Sequence, residues 1–150
     1  MMIDTKTESV HRDIVRREGR SLLQYVEEAY PWVGPDEEAP LAQLRKLVAE
    51  EREVLGRLID LLARRCHSYP YLGSYANWFT TINFISLDHL LPMLVDYEAK
   101  SLGELEFALP EITDTGALAA VQDLVDIKRR HLDLLKKMAT AHPETVSAAS

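Results

Sequence analysis

The stretch from Tyr75 to Tyr97, YANWFTTINFISLDHLLPMLVDY, is apolar on nearly every side. A helix of that kind is buried all round, so the stretch reads as the central helix of an all-helical protein. At about 100° per residue, Trp78, Ile82, Ile85, Ser86, His89 and Met93 fall on one face, with His89 near its middle. An imidazole on a buried face needs a polar partner. Pro92 is expected to kink this helix and to leave the Asp88 carbonyl without its helical donor.

Outward from this stretch the chain reads as three more helices. Thr5 to Glu8 have the spacing of a capping box, and Val10, Ile14, Leu22, Tyr25 and Ala29 mark one face of a first helix over about 8–30, stopped by Pro31. Asp36 suits an N-cap for a second helix over about 38–66, where Leu41, Leu44, Val48, Leu55, Leu58, Ile59 and Leu62 form the cleanest stripe. Pro70 and Gly73 break the pattern, and Ser74 can cap the third helix, about 75–100. Pro110 is a hard stop before a fourth helix, about 115–140, which buries Leu118, Val121, Leu124, Val125, Leu132 and Leu135; residues 141–150 read as a disordered tail. The eight residues between Cys66 and Tyr75 reach at most about 28 Å, less than the roughly 35–40 Å of a helix here. Consecutive helices are therefore expected to be antiparallel neighbours, giving a single-domain, antiparallel up-down-up-down four-helix bundle.

Composition narrows the function classes. Seventeen basic against twenty-four acidic residues give a net charge of −7 in 150 residues, which repels nucleic acid and anionic membranes. The run Lys128-Arg129-Arg130 is diluted by Asp123, Asp126 and Asp133 and reads as a solvated helix face. A lone cysteine, Cys66, excludes an internal disulfide, fits a reducing compartment and reads as a small buried hydrophobe. The N-terminus has no apolar signal region, and Asn77, Asn83, Asp88, His89 and Asp96 make lipid a costly surrounding for the central stretch. The expectation is a cytoplasmic protein, a homodimer, with neither nucleic acid nor membrane as partner.

Each apolar stripe is interrupted once by a polar residue. Glu18 lies between Ile14 and Leu22, Glu51 between Val48 and Leu55, His89 between Ile85 and Met93, and Lys128 between Val125 and Leu132; His131 sits at the edge of the last arc. Counted at about 1.5 Å per residue, these positions share one level of the bundle. Buried carboxylates must be neutralised. Glu18, Glu51, His89 and His131 make a ligand set suited to Fe, Mn or Zn. Lys128 argues for the alternative, a buried ionic network of Glu18, Lys128 and Glu51 with His89 hydrogen-bonded to it, and with Tyr25 and Asp96 as further polar support. Tyr25, Tyr75 and Tyr97 fall on inward faces, where core packing is the default. His11, near the start of the first helix, reads as solvent-exposed.

On these residues the chain resembles the ferritin-like carboxylate bundles, whose pattern is a Glu on each of two helices and Glu-x-x-His on each of the other two. Glu18 resembles the lone glutamate of the first helix and Glu51 the glutamate of the second, while Val54 stands at the histidine position, His89 replaces a glutamate, and Lys128-Arg129-Arg130-His131 replaces Glu-x-x-His. The resemblance implies one divalent metal in the core, with redox or hydrolytic chemistry at it. Two other readings stand beside it. One is a non-enzymatic dimeric interaction module, with Trp32, Trp78, Phe84, Leu87, Leu91 and Leu94 supplying an apolar surface. The other is a small-molecule binder with an interhelical pocket.

Overall fold

A computed structural model describes residues 5–66 and 70–141. Residues 1–4, the tail at 142–150 and the Cys66 side chain lie outside what is described, while Thr5 to Glu8, expected as a capping box, already form the first turn of the first helix. Regular structure among the described residues is helical throughout: α1 Thr5–Gly19, α2 Leu22–Ala29, α3 Glu38–Cys66, α4 Leu87–Ala108 and α5 Thr115–Ala141, with short 3-10 turns at Pro35–Glu37, Asn77–Ile82 and Leu109–Glu111. No helix among them is long and apolar enough to cross a membrane.

α3 and α5 follow the bounds expected from their stripes. The first expected helix is two. Gly19 ends α1, and Ser21, with extended backbone, caps α2 by accepting from the Gln24 amide at 3.2 Å. A Cβ on Gly19 would lie 3.3 Å from the Leu72 side chain, so glycine lets the chain at Leu72 pack close to the break.

The third expected helix starts twelve residues late. Thr80, Thr81, Ile82 and Ile85 are β-branched, and aromatic and β-branched residues lose side-chain freedom in a helix. Here they form a 3-10 turn and an irregular segment instead, which buries Phe79 and Ile82. Phe84, at φ 59, turns the chain, donates its amide to the Ala29 carbonyl at 2.8 Å, and leads into a single bridge between Trp32 and Ser86.

That late start changes the topology. One core gathers α2, Leu44 and Val48 of α3, Leu87 to Leu94 of α4, and Leu135 and Met138 of α5. The other gathers Ile14 and Val15 of α1, Val54 to Leu62 of α3, Leu105 of α4, and Ala117 to Val125 of α5. α3 and α4 therefore both run from the first core to the second, while α1 and α5 run the other way. The chain returns between α3 and α4 along the side of the molecule: Leu72 packs on the second core, Tyr75 and Phe79 on the first. The up-down-up-down expectation rested on a connection too short to make this return. With α4 starting at Leu87, twenty residues are available, enough to span about 66 Å fully extended. α5 packs on α3 and α4, and α1 packs on α3 and, more loosely, on α4.

Candidate functional site

Between the two cores lies a polar layer to which all four long helices contribute. Lys128 Nζ of α5 is 2.8 Å from Glu18 Oε2 of α1, 3.0 Å from Glu51 Oε1 of α3 and 2.9 Å from Glu98 Oε1 of α4. None of the four side chains is more than 1% exposed. Ser101, one turn after Glu98, donates a short hydrogen bond to Glu18 Oε1. His131 Nδ1 lies 2.8 Å from Glu51 Oε2, and its Nε2 lies 2.8 Å from Glu50 Oε2 near the surface. A continuous polar chain thus crosses the molecule, from Glu50 through His131, Glu51, Lys128 and Glu18 to Ser101.

Three carboxylates around one ammonium carry too much negative charge for an interior unless a proton is shared. Burial, with the neighbouring Glu51 charge, pushes Glu98 up to about 8 against the pull of Lys128. Burial also acts to raise Glu51, but Lys128 and the hydrogen bonds from His131 and Glu98 outweigh it and hold Glu51 down to about 2. Glu98 is thus the protonated partner at neutral pH, sharing its proton with Glu51. For Lys128, burial works against the charge, and Glu18, Glu51 and Glu98 together hold the amine well above its ordinary range. Arg17 supplies a second cation, its Nε 3.7 Å from Glu18 and 3.0 Å from Glu104.

Of the residues singled out in the sequence, Glu18, Glu51 and Lys128 meet, and His131 joins them through Glu51. His89 does not: it is exposed in the first turn of α4, because the late helix start moves it away in both height and rotation. Asp96 is exposed as well. Tyr25 belongs to an aromatic cluster, 5.1 Å from Tyr75 and 5.6 Å from Phe79, and donates to Asn83 at 2.7 Å. His11 is buried, contrary to its reading as exposed, with Nε2 3.2 Å from the Leu58 carbonyl oxygen.

Glu98 and Ser101 were missed. The signal was present in Leu87, Leu91, Leu94, Glu98, Ser101 and Leu105, spaced by alternating fours and threes, the rhythm of a buried helix face. The donors for Fe, Mn or Zn do not fit as placed. Lys128 sits where an ion would have to sit, and no group of three or more His, Cys, Asp or Glu among the described residues is arranged to hold a metal.

The loose α1–α4 seam opens beside this layer. A cavity of about 800 Å³ is bounded by Arg16, Arg17 and Arg20 of α1, by Leu72 to Ser74 and Ala76 of the crossover, and by Met93, Asp96, Tyr97 and Lys100 of α4. Its apolar wall is aromatic: Phe79 packs against Trp78 at 4.6 Å and Tyr97 at 5.9 Å. Arg20 is fixed by donating to the Gly73 carbonyl at 2.8 Å and by lying 4.9 Å over the Tyr75 ring. A small side cavity of about 160 Å³, lined by Arg17, Tyr97, Lys100, Ser101 and Glu104, shares Arg17, Tyr97 and Lys100 with the cleft. Burial, reinforced by the Glu18 charge, raises the Tyr97 hydroxyl above its usual range.

Comparison with known proteins finds no family model, no curated protein and no solved structure that matches this chain.

Proposed function

We propose that the chain is a ferritin-like four-helix bundle in which the Lys128 ammonium stands in place of a metal, and that it acts as a small-molecule binder through the α1–α4 cleft. Three features support the first half. Glu18, Glu51 and Glu98 come from three different helices to one layer. Lys128-x-x-His131 occupies the place of a Glu-x-x-His pair. The crossover between α3 and α4 is the kind of long connection found in ferritin-like folds.

The second half is carried by one observation, the 800 Å³ cavity with an aromatic wall, which falls in the range of roughly 300–1,000 Å³ typical of ligand sites. In this reading the buried layer is scaffold. The Ser101–Glu18 hydrogen bond ties α4 to α1 just behind the cleft and sets the width of the seam.

The test is a fluorescence titration with N-phenyl-1-naphthylamine, an uncharged dye that brightens in apolar surroundings. One saturable site is expected. Ala76→Trp, which adds an indole at an exposed position on the wall, should weaken binding about tenfold or more, a loss of roughly 1.4 kcal/mol. A linear, unsaturable rise would contradict the reading, as would unchanged binding in a variant that melts like the parent.

A further inference from the structure

The cleft is unusual in its charge. In a protein of net charge −7, its wall carries Arg16, Arg17, Arg20 and Lys100 against the single acid Asp96. Two of the four cations are already engaged: Arg20 with the Gly73 carbonyl and Arg17 with Glu104. Arg16 and Lys100 are exposed and make no ion pair among the described residues. Arg17 has a further feature. Its Nη2 is buried and has no hydrogen-bond partner, an unfavourable state that an arriving acceptor would relieve.

Resting on the ligand-binding reading above, we propose that the ligand is an organic anion: an aromatic or other flat apolar body against Trp78, Phe79 and Tyr97, with a carboxylate, sulfonate or phosphate held by Arg16, Arg17 and Lys100. The apolar wall and the cations lie on the same cavity, so one molecule with a charged end and a flat body satisfies both. Guanidinium nitrogens suit oxyanions in particular, since they donate in a planar fork that matches two oxygens.

A partner helix is the competing occupant of an interhelical seam. Two observations favour a small molecule. The Arg17–Glu104 ion pair crosses the seam and divides it. The wide end is closed on a third side by Leu72, Gly73 and Ser74 of the crossover, whereas a helix needs an open groove along its length.

The experiment compares two dyes with the same ring systems, 8-anilinonaphthalene-1-sulfonate and its uncharged counterpart N-phenyl-1-naphthylamine, on the full chain and on Arg16→Gln/Lys100→Gln. Both substituted side chains are exposed, so the variant keeps the core intact. The sulfonate should bind the parent about tenfold more tightly than the neutral dye, and added salt should narrow the gap. In the double variant the preference should fall to within about twofold, through lost sulfonate affinity. Equal affinity of the two dyes for the parent would overturn the anion assignment and leave the cleft as an apolar site. A sulfonate preference that survives in the double variant would overturn it too, because the anion would then be seated elsewhere. Saturable binding by neither dye would remove the ligand-binding reading itself. Binding of an acidic amphipathic peptide in their place would give the seam to a partner helix and overturn the proposal.

Discussion

Glu98 and Glu51 share one layer and one ammonium, yet their acidities move in opposite directions. The consequence for stability has a definite sign. A carboxyl raised from 4.5 unfolded to about 8 folded stabilises the fold fully below pH 4.5, and this contribution is lost as the pH rises through about 8. Glu51, held down to about 2, does the reverse: its contribution is present above pH 4.5 and is lost as the pH falls toward 2. Glu98 pulls the denaturation midpoint down from pH 6 to about 8, with little change beyond, while buried His11, held below 6.5 by desolvation, acts the other way between pH 6 and 7. Glu98→Gln mimics the protonated acid and keeps a donor for Glu51, so its midpoint should be nearly flat from pH 7 to 9 and rise slightly from pH 6 to 7, where His11 acts alone. Urea titrations at pH 6, 7, 8 and 9 on both proteins measure this; a parallel decline in the two would place the titrating group elsewhere.

At the scale of elements, the long uniform stripes of α3 and α5 were legible because many residues repeat the same face, so no single breaker decides their limits. The two interruptions were harder to read. Gly19 and Ser21 carry clear break and cap chemistry, but the apolar positions on either side, Ile14 and Leu22, continue one helical phase across the gap. At Asn77–Ile85 apolarity outweighed conformational preference in the reading: the segment is buried in part, but as a crossover and not as a helix. The missing start of α4 then concealed Glu98, since the face was counted from the wrong residue.

Phe84 records the tension at that junction. It holds a left-handed backbone at φ 59 while its ring is 72% exposed. A side chain in that region costs roughly 1–2 kcal/mol, a penalty that glycine escapes. Phe84→Gly loses little burial and keeps the amide that donates to Ala29. It should therefore stabilise the protein, by about 1 kcal/mol or slightly less once the added freedom of the unfolded chain is counted. Thermal melting reads the change directly, and a lower melting temperature would mean that the exposed ring makes a contribution its surroundings do not suggest.

For the molecule as a whole, the layer is the one place where α1, α3, α4 and α5 meet through charge. Apolar packing above and below supplies most of the favourable energy, and buried ion networks are often no better for stability than a well-packed apolar replacement. Removing one member is another matter, because its partners stay behind as unneutralised charges. The layer was legible in outline, since a polar residue recurs at mid-stripe in three helices where burial is expected. Its identity was not legible, because whether carboxylates close on a metal or on an amine depends on which side chain reaches the centre. That depends in turn on the topology, and here Lys128 reaches it.

The most direct measurement is chemical denaturation of Lys128→Met at pH 7, with and without added Mn, Zn or ferrous iron. A loss of about 3–5 kcal/mol relative to the parent is expected, with no change in the parent on adding metal. A Lys128→Met protein as stable as the parent, or a parent markedly stabilised by one of the ions, would contradict it.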